Sequence, residues 1–133
     1  SLRYGSVHFA FKKEIIRRNN IWISTYFGAG TGNGSGEDSI FIRDCFKAGL
    51  KLRTSTKLIA KIYNDDSTWF KGFDEKFFYD KGMLARALFP KRYRLYIEQF
   101  VRRHKEMTKE IGIKEARKLM LEGANDFGGN NGK

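Results

Sequence analysis

The sequence predicts a mixed α/β fold, α+β for the chain taken by itself, on three observations. Residues 6–16 place Val7, Phe9 and Phe11 on one side and His8, Ala10 and Lys12 on the other, the period of two expected of a strand. Residues 50–52 and 57–63 are short strand-like runs separated by Arg53-Thr54-Ser55-Thr56. Two longer segments, residues 39–48 and 74–89, instead carry apolar side chains at helical spacing.

Taken in order, Arg17-Arg18-Asn19-Asn20 makes a polar turn, and Ile21-Trp22-Ile23 leads into a glycine-rich loop. Trp22 fits a core better than a ligand platform, yet it precedes the loop closely enough to stand as a secondary binding candidate. In the helix at 39–48, Phe41, Cys45 and Ala48 share a face, and Gly49 suits the position just past its end. Asn64-Asp65-Asp66 forms a turn ahead of Ser67-Thr68-Trp69-Phe70-Lys71-Gly72. There Trp69 is either a stacking platform for a sugar face or a ring that packs its loop onto the core. The helix at 74–89 turns Phe77, Phe78, Leu84 and Leu88 inward, and Pro90 ends it. Residues 91–108 mix Tyr93, Leu95, Tyr96, Phe100 and Val101 with many Lys and Arg. Such a basic amphipathic helix either packs its stripe on the domain or lies on a membrane surface. Residues 113–121 form a short amphipathic helix, and residues 123–133, rich in Gly and Asn, read as a flexible tail.

The chain is organised around Phe27-Gly28-Ala29-Gly30-Thr31-Gly32-Asn33-Gly34-Ser35-Gly36-Glu37-Asp38. Glycine at alternate positions removes side chains, so a ligand can lie against the main chain. Two phosphate-binding motifs are excluded on charge. The loop ends in Gly-Glu-Asp rather than Gly-Lys-Ser/Thr, and a helix N-terminus carrying Glu37 and Asp38 is a poor anion site. On the tetrapeptide Ser35-Gly36-Glu37-Asp38 alone, a capping box is favoured, with Ser35 as N-cap and Asp38 three residues on.

The longer string, from Phe27 through Ser35-Gly36-Glu37-Asp38-Ser39-Ile40-Phe41-Ile42, resembles the second half of a family 2 glycosyltransferase catalytic domain of the bacterial kind that builds polysaccharide or cell wall. The resemblance continues through residues 44–51, Ser67-Thr68-Trp69-Phe70-Lys71-Gly72 and residues 75–82, as far as about Arg103. It implies a partial GT-A sheet with a flanking helix, followed by C-terminal helices. Residues 1–90 would be the acceptor-side half of the catalytic domain, 91–122 basic amphipathic helices and 123–133 the tail. In that family the aspartate of the Glu-Asp pair is the usual catalytic base, here Asp38. Glu37 would orient the acceptor or Asp38, Gly34 and Gly36 would allow close approach, and Trp69 and Trp22 would contact the acceptor. The resemblance also implies a nucleotide-sugar donor, a saccharide or lipid-linked acceptor, and a divalent ion, Mg or Mn. The ion belongs to an Asp-x-Asp motif that has no counterpart here, so no residue is assigned as a metal ligand and none is expected to be bound by this chain. The chain is thus expected to be a C-terminal fragment, inactive without its donor-binding half, with a sheet edge open to a second copy.

Composition narrows the partners without choosing one. The 133 residues carry a formal net charge of +11, which suits nucleic acid, an anionic membrane surface or an anionic donor. Helix-turn-helix, zinc-finger and aromatic RNA-binding patterns are all lacking, so nucleic acid is disfavoured. A basic interaction module without catalysis is the alternative to a transferase. One cysteine, Cys45, fits a reducing compartment. With no apolar run of about twenty residues and no secretory leader, the expected location is the cytoplasm, at most peripheral to the inner membrane face.

Overall fold

Among the described residues, regular structure follows the helical periodicities and none of the strand-like ones. A computed structural model describes residues 9–28, 30–53, 55–58, 61 and 72–130. Among these residues it has five helices and no strand: α1 (Lys13–Arg18), α2 (Glu37–Lys47), α3 (Glu75–Leu88), α4 (Tyr93–Arg103) and α5 (Ile113–Asn130). The expected α/β class and its partial GT-A sheet are therefore overturned, and no strand edge is present among them to pair with a second copy.

The reason is visible at the first expected strand. Phe9 and Phe11 do share a side, and both rings pack on Phe41, with centroids 5.7 and 5.1 Å away. Period two reports which way side chains face, whereas a strand also needs a hydrogen-bonded neighbour. Here that side is covered by an aromatic ring, and from Lys13 the chain turns into α1 instead. Residues 50–53, 57, 58 and 61 likewise lie outside regular structure, while the remainder of 57–63 is outside the described residues.

Three helices make the main body. Glu98 of α4 pairs with Arg117 of α5 at 2.6 Å, and Tyr93 lies beside Asn125, so α4 and α5 run antiparallel. Pro90 helps turn the chain from α3 into α4, and the cationic Arg86 sits 4.5 Å from the Tyr93 ring. Phe78, Ile97, Val101, Met120, Ala116 and Ala124 fill the space between the helices and are fully buried. A Cβ added at Gly82 would lie 1.9 Å from the Met120 carbonyl oxygen, and one at Gly123 would lie 2.1 Å from that of Tyr79. The α3 and α5 backbones thus touch, which requires glycine at both positions. Hydrogen bonds reinforce the contact: Tyr79 Oη donates to Asp126 Oδ2 at 2.6 Å. This bond, with partial burial, pushes the Tyr79 phenol up to about 12 from its ordinary 10.0. α5 runs on through Gly123 to Asn130, the segment whose composition suggested a tail. Packing decides against composition there.

α1 and α2 build a smaller satellite core from Ile16, Ile21, Phe41, Ile42 and Cys45. Cys45 is buried as its place in the helix predicts, and burial pushes its thiol pKa up. Both helices end alike. After α2, Leu50 N–H bonds Cys45 O and Gly49 N–H bonds Phe46 O, each at 3.0 Å, with Gly49 at φ 73°. After α1, Ile21 N–H bonds Ile16 O at 3.1 Å across Asn20, which takes φ 51°. In each case the residue after the left-handed one packs back into the satellite core, as in a Schellman motif. Burying one such apolar side chain contributes roughly 1.5–3 kcal/mol.

Two measurements check this. Gly82→Ala and Gly123→Ala should each lower stability to urea by about 2–3 kcal/mol, because overpacking outweighs the gain of about 1 kcal/mol in helix propensity. Gly129→Ala, with nothing within 4 Å of its added Cβ, should be neutral or slightly stabilising. The raised Tyr79 pKa implies stability that is full below pH 10.0 and falls as pH rises toward about 12. Tyr79→Phe should lose about 1 kcal/mol at neutral pH and remove that part of the alkaline decline.

Candidate functional site

The glycine-rich loop folds into a closed ring. Gly28 N–H donates to Gly34 O at 2.7 Å, Thr31 N–H and Oγ1 both donate to Gly28 O, and Asn33 Nδ2 donates to Tyr26 O at 3.0 Å. Its position is set from outside. Lys76 Nζ donates to Gly32 O at 2.5 Å and pairs with Asp80 Oδ2 at 2.6 Å. Tyr26 and Phe27 pack on Phe127 of α5, with ring centroids 5.4 and 5.8 Å apart. The loop therefore lies across the α3–α5 pair.

Gly34 and Gly36 are where the loop tolerates no side chain. Gly34, at φ 63°, has Asp80 within 2.9 Å of an added Cβ, and Gly36, at φ 153°, has Leu84 Cδ1 at 2.5 Å. Their absent side chains accommodate α3 in this structure, which differs from the ligand-approach role expected of them. Gly36 is also the N-cap of α2, and no side chain caps that end. The expected capping box is thus not formed: Ser35 lies one residue before the cap and Asp38 is the second residue of the helix.

Glu37 turns back on the loop. Its Oε2 accepts the Gly36 N–H at 2.9 Å, and its carboxyl group sits against Gly28, 3.1 Å from where a Cβ would be. It braces the ring. Asp38 is half-buried in the first turn of α2, where the helix dipole favours an ionised carboxylate. Trp22, expected in the core, is 69% exposed, and its indole N–H donates to Asn20 Oδ1 at 2.8 Å. Trp69 lies outside the described residues, as do His8 and Asn64-Asp65-Asp66. The structure thus brings Gly34, Gly36, Glu37 and Asp38 together and sets Trp22 at the surface before them.

Lys76, Asp80 and Phe127 join this site unannounced. The Lys76–Asp80 pair is legible as an i,i+4 pair on a helix, but nothing local connects it to a loop 44 residues earlier. A groove of about 470 Å³ runs along α2 and the end of α3, lined by Ser39, Ile42, Arg43, Phe46, Lys47, Leu88 and Phe89, and neither Glu37 nor Asp38 lines it. Among the described residues no three His, Cys, Asp or Glu side chains cluster to hold a metal ion. Nor is any helix of these residues long and apolar enough to cross a membrane.

Compared with protein-family models, curated proteins and solved structures, the chain matches none of them. The likeness to glycosyltransferases rests on the motifs quoted above.

The bracing role of Glu37 is measurable by amide hydrogen exchange. Glu37→Ala should speed exchange of the Gly36 amide about five-fold, the equivalent of roughly 1 kcal/mol for a half-exposed charge-assisted bond. Glu37→Gln keeps an acceptor oxygen and should change it much less.

Proposed function

We propose that this chain forms the acceptor side of a sugar-transferring enzyme, with Asp38 as the base that deprotonates the acceptor hydroxyl. The observation that supports it most is the hydrogen-bonded glycine loop, which leads directly into a helix whose first turn carries Asp38. A base needs a fixed position and an ionised state at working pH. Rigid anchoring through Lys76, Phe127 and Glu37 favours the first, and the N-terminus of α2 favours the second.

The proposal concerns the reaction and these residues, without a GT-A sheet. An acceptor hydroxyl gives its proton to the Asp38 carboxylate as its oxygen attacks the anomeric carbon of a nucleotide-sugar donor. The bond from that carbon to the diphosphate breaks, its electron pair leaves with the phosphate, and configuration inverts. Glu37 acts on Asp38 through the loop, as a positioning residue. Gly34 and Gly36 keep the ring narrow at its contact with α3. Trp22, exposed before the ring, and Trp69 are the aromatic surfaces on which a saccharide would stack. Donor binding falls to residues outside this set, and no step runs through a metal ion held by this chain.

In a transfer assay on the protein that bears this chain, Asp38→Asn should lower the rate roughly 10²–10⁴-fold. The helical circular dichroism and the acceptor KM should stay near their original values, and Asp38→Glu should retain part of the rate. Undiminished transfer by Asp38→Asn would remove the base assignment.

A further inference from the structure

Away from the glycine ring, a second groove of about 350 Å³ is lined by Phe89, Arg92, Leu95, Tyr96 and Gln99. Phe89 lines both this groove and the larger one beside α2, so the two adjoin at its ring. Three large apolar side chains stand out from it: Leu95 is 71% exposed, Phe46 58% and Phe89 43%. The Phe89 ring is held there by stacking on Tyr96 at 5.2 Å. Lys47 and Arg92 line the grooves and are exposed, and no carboxylate lines either groove. Arg43, the remaining cation on this surface, is engaged by Asp44 and donates to the Ala87 carbonyl.

We propose that this surface docks on a bilayer containing anionic lipids. The chemistry selects that occupant. Apolar side chains held in water beside cations match the membrane interface, where rings and leucine enter the acyl boundary. Lys and Arg stems extend along them to place their charges among phosphates. A nucleic acid would satisfy the cations yet leave Leu95 and Phe46 in water. A second copy of this chain would bring Lys47 and Arg92 against like charges on a protein already carrying +11. The inference stands apart from the role proposed for Asp38, and its test reads lipid binding, so either can fail without the other.

The test is co-sedimentation of the whole chain with vesicles of phosphatidylcholine, with and without phosphatidylglycerol. Binding should appear only with the anionic lipid and weaken as salt is raised. Leu95→Glu should reduce the partition coefficient by roughly ten-fold or more, through loss of apolar burial and a reversed local charge. Arg92→Ala should reduce it roughly five-fold at low salt. Both side chains are exposed, so an unchanged helical spectrum verifies folding. Two results overturn the proposal: binding unaffected by Leu95→Glu, or no binding to the anionic vesicles, in which case duplex DNA binding or a concentration-dependent dimerisation that Leu95→Glu abolishes would identify the occupant instead.

Discussion

The contact on which the rest depends is the touching of two helix backbones at Gly82 and Gly123. A helix pair normally keeps its axes 8–10 Å apart because side chains intervene. Here α3 and α5 each withdraw a side chain where the other's carbonyl arrives, and Ala85, Ala116 and Ala124 keep the neighbouring positions small. The approach carries an entropic cost, since glycine within a helix is unfavourable by about 1 kcal/mol relative to alanine. Dense packing of Phe78, Met120 and Ile97 beside the contact offsets that cost.

That fixed pair is also the platform for the loop. Lys76 and Asp80 lie one turn apart on α3, and Leu84 is a further turn along, so one face of one helix meets the ring at Gly32, Gly34 and Gly36 in succession. The alternate spacing of the loop glycines matches a chain laid along that face. α5 contributes Phe127, from the glycine-rich stretch whose composition suggested a tail. A displacement of α3 against α5 would therefore shift the ring and the start of α2 together. Phe9, Ile16 and Ile21 pack instead on the satellite core with α2.

What could be read from the sequence divides along physical lines. The helices at residues 39–48 and 74–89, the Gly49 terminator and buried Cys45 were all legible, because each rests on a local spacing that the structure kept. The actual N-cap of α3 is Asp74, accepting from Phe77 N–H at 2.8 Å, which the helical pattern placed to within a residue. Strand expectations failed because alternation records sidedness and says nothing of a pairing partner, as Phe9 and Phe11 demonstrate. The capping box failed for a different reason: Leu84, remote in sequence, packs against the side-chain-less Gly36, and Gly36 rather than Ser35 stands at the cap. Of the site, the loop and its two acids were visible, while the clamp formed by Lys76, Asp80 and Phe127 was not. Contacts across more than forty residues leave no mark in local pattern.

α2 ties these features into one mechanical element. Ile40 faces the bundle with Phe27, Met83 and Leu84, whereas Phe41, Ile42 and Cys45 face the satellite core. With two faces committed to different cores, the helix cannot rotate without exposing one of them. Asp38 stands one turn before Phe41 and Ile42 on the same helix. Eight residues further on, about 12 Å along the axis, Phe46 and Lys47 project from the other end into solvent. An acidic first turn and a basic last turn both suit the helix dipole, so electrostatics and packing agree on the polarity of this rod. Chemistry at its first turn and contact with an anionic surface at its last would then be separated by a distance that packing, rather than any ligand, has set.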